Sequence, residues 1–280
     1  TQRFMSYSEG EGDKEKQKRI FNISFVLHTA IGLLMGLVLT AAGWLFFHGI
    51  LNISPARVEA AQVVYGSLIV STVFTVMSVP YEAVLNAREN MLYYSIVGVI
   101  ESLLKLVVAL IVVRTTGDKL ISYGILMAGI PLVTLTIMRI YCHRKYEECI
   151  IAPRKYWDKR LMKEMRSFAG WNLMGASSGI IYGYGTNLIL NYFFGTRLNT
   201  ANGISGQFNG QLLSLTNSLV KAINPVITKF EGSGDRNSMY KTTFIACKLS
   251  VLGYSILAIP VIAETATILK LWLEDIPPYT

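Results

Sequence analysis

Charged residues are scarce in this chain of 280 residues. They make up 16% of it, against 52% apolar residues, and the mean hydropathy is +0.41. Soluble globular domains carry about 25% charged residues, so the composition excludes an ordinary soluble domain. The net charge is +8, but the basic residues lie between long apolar runs rather than along one soluble face. This arrangement indicates membrane topology and argues against nucleic-acid binding.

Cysteine and histidine are also rare, with three residues of each. Cys142, Cys149 and Cys247 fall near the expected cytoplasmic ends of helices, where thiols stay reduced, so a disulfide framework is not expected. His143 lies between two of these cysteines, but the spacing matches no metal-site pattern. The sequence shows no nucleophile–base constellation and no glycine-rich phosphate loop after a strand. We therefore predict neither an enzyme nor a bound metal or cofactor.

Long apolar segments account for most of the chain. A bilayer-spanning helix needs about 20 mostly apolar residues. The sequence predicts seven such spans, over residues 20–47, 61–86, 92–113, 120–141, 168–194, 199–228 and 242–273. The fifth and sixth are weaker, because they are rich in Gly, Asn, Gln and Ser. The chain starts at Thr1 without an initiator methionine, and both ends fall where a helical protein would continue, so we expect a piece of a longer protein.

One long polar segment, residues 139–168, separates the fourth and fifth spans and contains nine of the 26 Lys and Arg residues. Its second half places Trp157, Leu161, Met165 and Phe168 at helical spacing, with basic residues between them. This pattern is typical of an amphipathic helix on a membrane surface. A solvated charged loop would explain the charges but not the apolar stripe.

The distribution of Lys and Arg orients the predicted spans. With the N-terminus inside, 18 of the 26 basic residues fall in cytoplasmic segments, five fall outside and three lie within spans. Such an excess marks the cytoplasmic side. We therefore predict an N-terminal lobe over residues 1–142, a cytoplasmic amphipathic linker over 143–167 and a C-terminal lobe over 168–280.

A short motif occurs twice, 222 residues apart, as Glu9-Gly-Glu-Gly-Asp-Lys14 and Glu231-Gly-Ser-Gly-Asp-Arg236. Each copy precedes an apolar span, and these two spans end in Leu51-Asn-Ile-Ser-Pro55 and Leu273-Glu-Asp-Ile-Pro277. The first and seventh spans run in the same direction. The sequence therefore predicts two halves of about six helices, related by an axis along the membrane normal, as in some transporters.

Charges inside the predicted spans are candidate functional residues, because each is costly in a bilayer. Glu101 and Lys105 are spaced to pair on one face of the third span. They form either a self-neutralised packing pair or a site in which Lys105 faces a cavity and binds an anion. Glu82 follows Pro80 and is a candidate for a coupling proton or sodium ion, unless it only reaches water at the cytoplasmic end. Lys221 is a second cationic cavity candidate.

Amide side chains are concentrated in the fifth and sixth spans. They are Asn172, Asn187, Asn191, Asn202, Gln207, Asn209, Gln211 and Asn217. Amides at these positions suit either helix–helix packing or a water-filled passage in which they hydrogen-bond sugar hydroxyls. As substrate-binding candidates we select Asn187, Asn191, Gln207 and Asn209.

Three stretches carry a resemblance to a known family. They are residues 78–91 (SVPYEAVLNARENM), residues 167–172 (SFAGWN) and the segment from Asn199 to Pro225. They resemble bacterial lipopolysaccharide and O-antigen flippases, whose superfamily also contains the multidrug and toxic-compound extrusion (MATE) antiporters. The resemblance covers essentially the whole chain, as helices three to nine of a protein of twelve to fourteen helices, with the end of helix two at the N-terminus.

The resemblance implies an all-α, MATE-like, multi-pass protein of the bacterial inner membrane, with two lobes around a central cavity and alternating access. It implies transport of undecaprenyl-pyrophosphate-linked oligosaccharide, with membrane lipids and other polysaccharide-assembly proteins as partners. Lys105 and Lys221 fit the pyrophosphate and the amides fit the sugars. These residues are chosen for their chemistry and are not carried over from a family motif.

Three alternatives stay open. A cation-coupled drug exporter of the same fold would use cavity carboxylates, for which Glu82 and Glu101 are candidates. An integral-membrane enzyme acting on lipid-linked glycans would need a long outer loop with catalytic Arg or His, and the predicted outer loops are short. A structural scaffold would not need charges inside its spans.

Overall fold

A computed structural model of the chain describes residues 1–47 and 57–273, apart from the side chains of residues 195–197 and 215. These residues form α-helices and contain no strand, so the predicted all-α fold is confirmed. The helices are α1 Gln2–Glu11, α2 Lys14–Leu45, α3 Val58–Ala87, α4 Met91–Arg114, α5 Lys119–Lys145, α6 Lys159–Ser233, α7 Arg236–Ala263 and α8 Thr265–Trp272.

Within the described ranges, five helices are long and apolar enough to cross a membrane: α2, α3, α4, α5 and α7. The first four predicted spans fall on α2 to α5. Large apolar side chains stay exposed along these helices, for example Leu103, Leu110 and Val113 on α4. Such a surface is expected where the helix is surrounded by lipid. Helix α6, which holds the two weaker predicted spans, is not among the five.

Helix α6 joins the fifth and sixth predicted spans in 75 helical residues. Asn202 nevertheless donates a hydrogen bond from Nδ2 to Oδ1 of Asn187, at 3.0 Å. In a straight helix these residues would lie about 22 Å apart, at 1.5 Å per residue. The helix therefore turns back on itself between them, and its two arms correspond to the two predicted spans.

The prediction of one span over residues 242–273 is wrong, because α7 ends at Ala263 and α8 begins at Thr265. Glu264 leaves the helical conformation between them, and its carboxylate accepts a hydrogen bond from the Thr267 hydroxyl at 2.8 Å. The segments that end the repeated spans, 51–55 and 274–277, lie outside the described residues.

The helix of the polar segment begins at Lys159, so Trp157 precedes it. Asp158 caps this helix by accepting hydrogen bonds from the backbone N–H groups of Arg160 and Leu161. Leu161 and Met165 are buried, whereas Trp157 is exposed. The apolar stripe that predicted a helix on the membrane surface is therefore used in part for packing inside the protein.

The chain divides into two compact units. The first comprises residues 1–161 together with 228–234, and the second comprises 162–227 together with 235–280. The predicted lobe boundaries at 142 and 168 stay predictions. In the core of the first unit, Phe21 of α2 and Tyr81 of α3 are buried edge to face, with ring centroids 5.6 Å apart.

Both copies of the repeated motif adopt the same conformation. Gly12 ends α1 with φ +73°, and Gly234 ends α6 with φ +76°. Glycine is favoured in this left-handed region because it has no Cβ. The next residue, Asp13 or Asp235, then caps the following helix by accepting a backbone N–H three residues on. The motif is thus a helix–turn–helix joint that occurs twice.

A buried ionic cluster joins four segments of the first unit. The guanidinium of Arg88, between α3 and α4, lies 2.8 Å from a carboxylate oxygen of Glu9 and 2.8 Å from one of Glu148. It also donates to the side-chain oxygen of Gln17 on α2. Burial lowers the pKa of Arg88, but the hydrogen bond and charge of Glu148, with the charge of Glu9, outweigh it and raise the pKa overall.

We predict that Arg88→Ala lowers the free energy of unfolding by about 3 kcal/mol or more, because it leaves the carboxylate of Glu148, which is 2% exposed, without its partner. The measurement is thermal unfolding of the purified full-length protein in detergent. Arg57→Ala is the control, because Arg57 is 62% exposed in its ion pair with Asp118 and should cost less than about 1 kcal/mol. Equal losses in the two variants would contradict the prediction.

Candidate functional site

A cavity of about 150 Å³ lies between α3, α4 and α5 and contains two of the predicted carboxylates, Glu82 and Glu101. Its remaining lining residues are Thr75, Ser78, Tyr94, Val97, Gly98, Pro131, Thr134 and Met138. Hydroxyl groups therefore face the carboxylates across a small volume. The fold brings together two acidic residues that the sequence placed in separate spans.

Prolines interrupt the hydrogen bonding of two helices that line this cavity. Pro80 of α3 has no N–H to donate to the carbonyl of Val76, and Pro131 of α5 has none for the carbonyl of Met127. Backbone oxygens at membrane depth need other partners. The carbonyl oxygens of Val76 and Met127 are therefore additional hydrogen-bond acceptors on the helices that line the cavity.

Ser78 ties Glu82 to the backbone of its own helix. Its hydroxyl oxygen lies 2.6 Å from Oε1 of Glu82 and 2.8 Å from the carbonyl oxygen of Thr75. Ser78 is the donor in both contacts, and its single hydroxyl hydrogen is shared between the two oxygens. The hydroxyl therefore holds the carboxylate of Glu82 on the face of α3 that lines the cavity.

A second cavity, of about 400 Å³, adjoins the first and contains Glu101 and Lys105. Glu101, Thr75 and Pro131 line both cavities. The predicted ion pair is present, with Nζ of Lys105 2.6 Å from Oε1 of Glu101, and Lys105 is 50% exposed. An anion that binds Lys105 must therefore compete with Glu101.

The other predicted site residues lie on α6, in the second unit. Asn187 accepts the hydrogen bond from Asn202. Asn191 lines a shallow depression that is otherwise formed by apolar and aromatic side chains. Gln207, Asn209 and Lys221 are exposed. The structure pairs Asn187 with another amide from the same group, and the roles of all five residues stay predictions.

Sequence reasoning missed Thr75, Tyr94 and Thr134 as lining residues of the smaller cavity. Thr75, Ser78 and Glu82 are spaced i, i+3 and i+7, which places them on one face of α3, so their spacing was a usable signal. Thr134 follows Pro131 by three residues. Tyr94 had no such signal, because its position depends on how α4 packs against α3 and α5.

The cysteines of the polar segment are buried and free. A hydrogen bond with Cys142 and burial both raise the pKa of Cys149, which disfavours the thiolate that metal binding requires. In the part of the chain that the structure describes, no group of three His, Cys, Asp or Glu side chains is arranged to hold a metal ion.

Comparison with known proteins gives one informative likeness. The chain matches no family model and no curated protein sequence. It is similar to a solved structure described as the outward-facing conformation of a multidrug resistance MATE family transporter of the MOP superfamily, with a TM-score of 0.82 and 15% sequence identity. The match covers 97% of this chain and 61% of the other, so this chain spans less than two thirds of that protein. At this identity the likeness shows a MATE-like helical fold.

We predict that dicyclohexylcarbodiimide, which modifies carboxyl groups in apolar surroundings, labels Glu82 several-fold more than Glu101. The reason is that Nζ of Lys105 lies 2.6 Å from Oε1 of Glu101 and competes with the reagent for that carboxylate. Peptide mass spectrometry measures both sites, and Lys105→Ala should raise the label on Glu101. Equal labelling of the two residues in the wild type, or no effect of Lys105→Ala, would contradict the prediction.

Proposed function

We propose that this chain belongs to a membrane transporter that works by alternating access and moves undecaprenyl-pyrophosphate-linked oligosaccharide across the bacterial inner membrane. The observation that supports transport is the fold, which matches a MATE family transporter over 97% of this chain. Five helices apolar enough to cross a membrane, and a cavity among three of them that contains charged side chains, agree with this function.

The proposed substrate has an anionic pyrophosphate, a polar glycan and a lipid tail. Lys105 supplies a cation at a cavity lined by hydroxyls from Ser67, Ser71 and Tyr123. Lys221 and the amides of α6 supply further polar contacts, and the lipid tail stays in the bilayer. Membrane lipids and other polysaccharide-assembly proteins are the proposed partners.

A cation-coupled drug antiporter is the second candidate, and one observation favours it. Glu82 and Glu101 share the smaller cavity, and Lys105 pairs with Glu101. Two carboxylates against one lysine make the paired cavities attractive to cations when both acids are ionised. A MATE family multidrug transporter is also the structure that this chain matches.

In either transporter, Glu82 is the proposed site of the coupling ion, because its carboxylate lines the smaller cavity beside the hydroxyl of Ser78. A proton and a sodium ion are the two candidates. The carboxylates and hydroxyls of this cavity are suitable oxygen ligands for sodium.

We predict that Lys105→Ala in the full-length protein reduces delivery of lipid-linked oligosaccharide to the outer leaflet at least tenfold, because the pyrophosphate loses its cation. Lys221→Ala should have a smaller effect in the same direction. Lys248→Ala is the matched control, since this lysine of α7 is exposed and lines neither of the two cavities.

The measurement is delivery by cells or reconstituted vesicles, with membrane protein levels compared in parallel. Full delivery by both Lys105→Ala and Lys221→Ala would contradict pyrophosphate binding by these lysines and indicate that they serve only in packing. A wild-type protein that delivers no glycan but exports cationic dyes would replace the flippase with the drug antiporter.

A further inference from the structure

The loop between α5 and α6, residues 146–158, is held against α2 by buried contacts. The side chain of Asn22, which is 1% exposed, donates to the carbonyl of Ile150 at 2.8 Å and accepts the backbone N–H of Ala152 at 2.7 Å. Tyr156, later in the loop, is also buried. The backbone of the loop is therefore fixed, and it determines which side chains face outward.

The contacts with α2 place this loop at the depth where the helix enters the membrane. Arg19 forms an ion pair with Asp158 at the end of the loop, with 3.6 Å between Nη1 and Oδ2. The apolar run of α2 begins at the next residue, Ile20, and Asn22 lies less than one turn beyond Arg19. The loop therefore runs beside the predicted cytoplasmic end of a membrane-spanning helix, at the level of lipid headgroups.

Two large apolar side chains of the loop face outward. Ile150 and Trp157 are each 46% exposed. Trp157 forms no hydrogen bond or ring contact with any residue that the structure describes, so its indole N–H is available to an external acceptor. Tryptophan is enriched at membrane interfaces, where its ring is buried among lipids and its N–H donates to polar groups. Trp157 has the depth and the exposure that such a position requires.

Basic side chains lie next to these apolar ones. The backbone N–H of Lys155 donates to the carbonyl of Ala152 at 3.0 Å, which closes a turn with Pro153 at its second position. Arg154 and Lys155 are exposed at the tip of this turn. Arg154 and Lys159 form no ion pair within the described ranges. The turn therefore presents cations whose charge is not used inside the protein.

The charge around the loop is strongly unbalanced. Residues 139–161 contain seven Lys and Arg residues against three acidic ones. Two of the acids, Glu148 and Asp158, are already paired with arginines of other segments, which leaves Glu147 to oppose the seven. An anionic surface is complementary to such a face, and the cytoplasmic leaflet of a membrane supplies one.

We propose that the loop docks on the anionic leaflet of the membrane, with Ile150 and Trp157 inserted among the lipids. Arg154 and Lys155 bind the phosphate groups of anionic phospholipids. The sequence predicted membrane contact along the helix that follows, but Leu161 of that helix is buried in the protein. The apolar contact with lipid is thus made by the loop, and it does not depend on what the protein transports.

Spin labels test the depth of the loop in the full-length protein. One label is attached at Ile150→Cys and a control label at Glu11→Cys, an exposed position at the end of α1, with Cys247→Ser removing the exposed native thiol. In phosphatidylglycerol nanodiscs, we expect the ratio of oxygen to nickel-complex accessibility to be severalfold higher at position 150 than at position 11. In phosphatidylcholine nanodiscs this difference should shrink severalfold. Equal ratios at the two positions, or equal insertion in both lipids, would overturn the proposal.

Removal of charge tests the binding of phosphate groups. Arg154→Gln combined with Lys155→Gln should lower the accessibility ratio at position 150 severalfold in phosphatidylglycerol. Arg114→Gln combined with Lys119→Gln is the charge-matched control, because both residues are exposed and lie at the other end of α5. An equal fall in the control would show a general effect of net charge and overturn the assignment to this turn.

Trp157→Ser separates docking from a role in folding. We expect the label at position 150 to lose its insertion, while thermal unfolding in detergent stays unchanged, because Trp157 is exposed. Tyr156→Ser is the contrasting variant, since the buried ring of Tyr156 should lower the unfolding temperature when it is removed. Full insertion of the label in Trp157→Ser, or a loss of stability equal to that of Tyr156→Ser, would overturn the anchoring role of Trp157.

Discussion

The burial of Glu148 beside Arg88 is the constraint on which the first unit depends. A buried carboxylate is stable only with an ion-pair partner and well-formed hydrogen bonds. Arg88 is the partner of Glu148, so the turn between α3 and α4 that carries Arg88 must lie beside Glu148. Two residues later, Asn90 accepts the backbone N–H of Tyr93 and caps α4. The start of α4 is fixed in this way, and Glu101 of the same helix is placed between the two cavities.

Local chemistry made much of this fold predictable. The apolar runs gave α2 to α5 close to their observed ends, and the spacing of Glu101 and Lys105 gave their ion pair. The repeated motif was predicted to precede an apolar span in both copies, and the joint that each copy forms is local, because a left-handed glycine followed by a capping aspartate needs no distant contact.

Contacts between distant segments were not predictable in the same way. Asn22 of α2 donates to the carbonyl of Ile150 and accepts the N–H of Ala152, which fixes the polar segment from far along the chain. The turn within α6, by contrast, corresponds to the break between the fifth and sixth predicted spans. For the candidate site, the charged residues were visible in the sequence, but their division between two adjoining cavities depends on helix packing.

The position of Glu101 on the wall of both cavities has a thermodynamic consequence. Its single negative charge faces both cavities. A proton or cation that neutralises Glu101 from the smaller cavity therefore weakens the ion pair between Glu101 and Lys105 in the larger one. On the proposed function, Lys105 would then be available to the anionic substrate. By linkage, an anion on Lys105 raises the affinity of the smaller cavity for cations by the same factor. Glu101 and Lys105, four positions apart on one helix, would in this way make the two proposed binding equilibria interdependent.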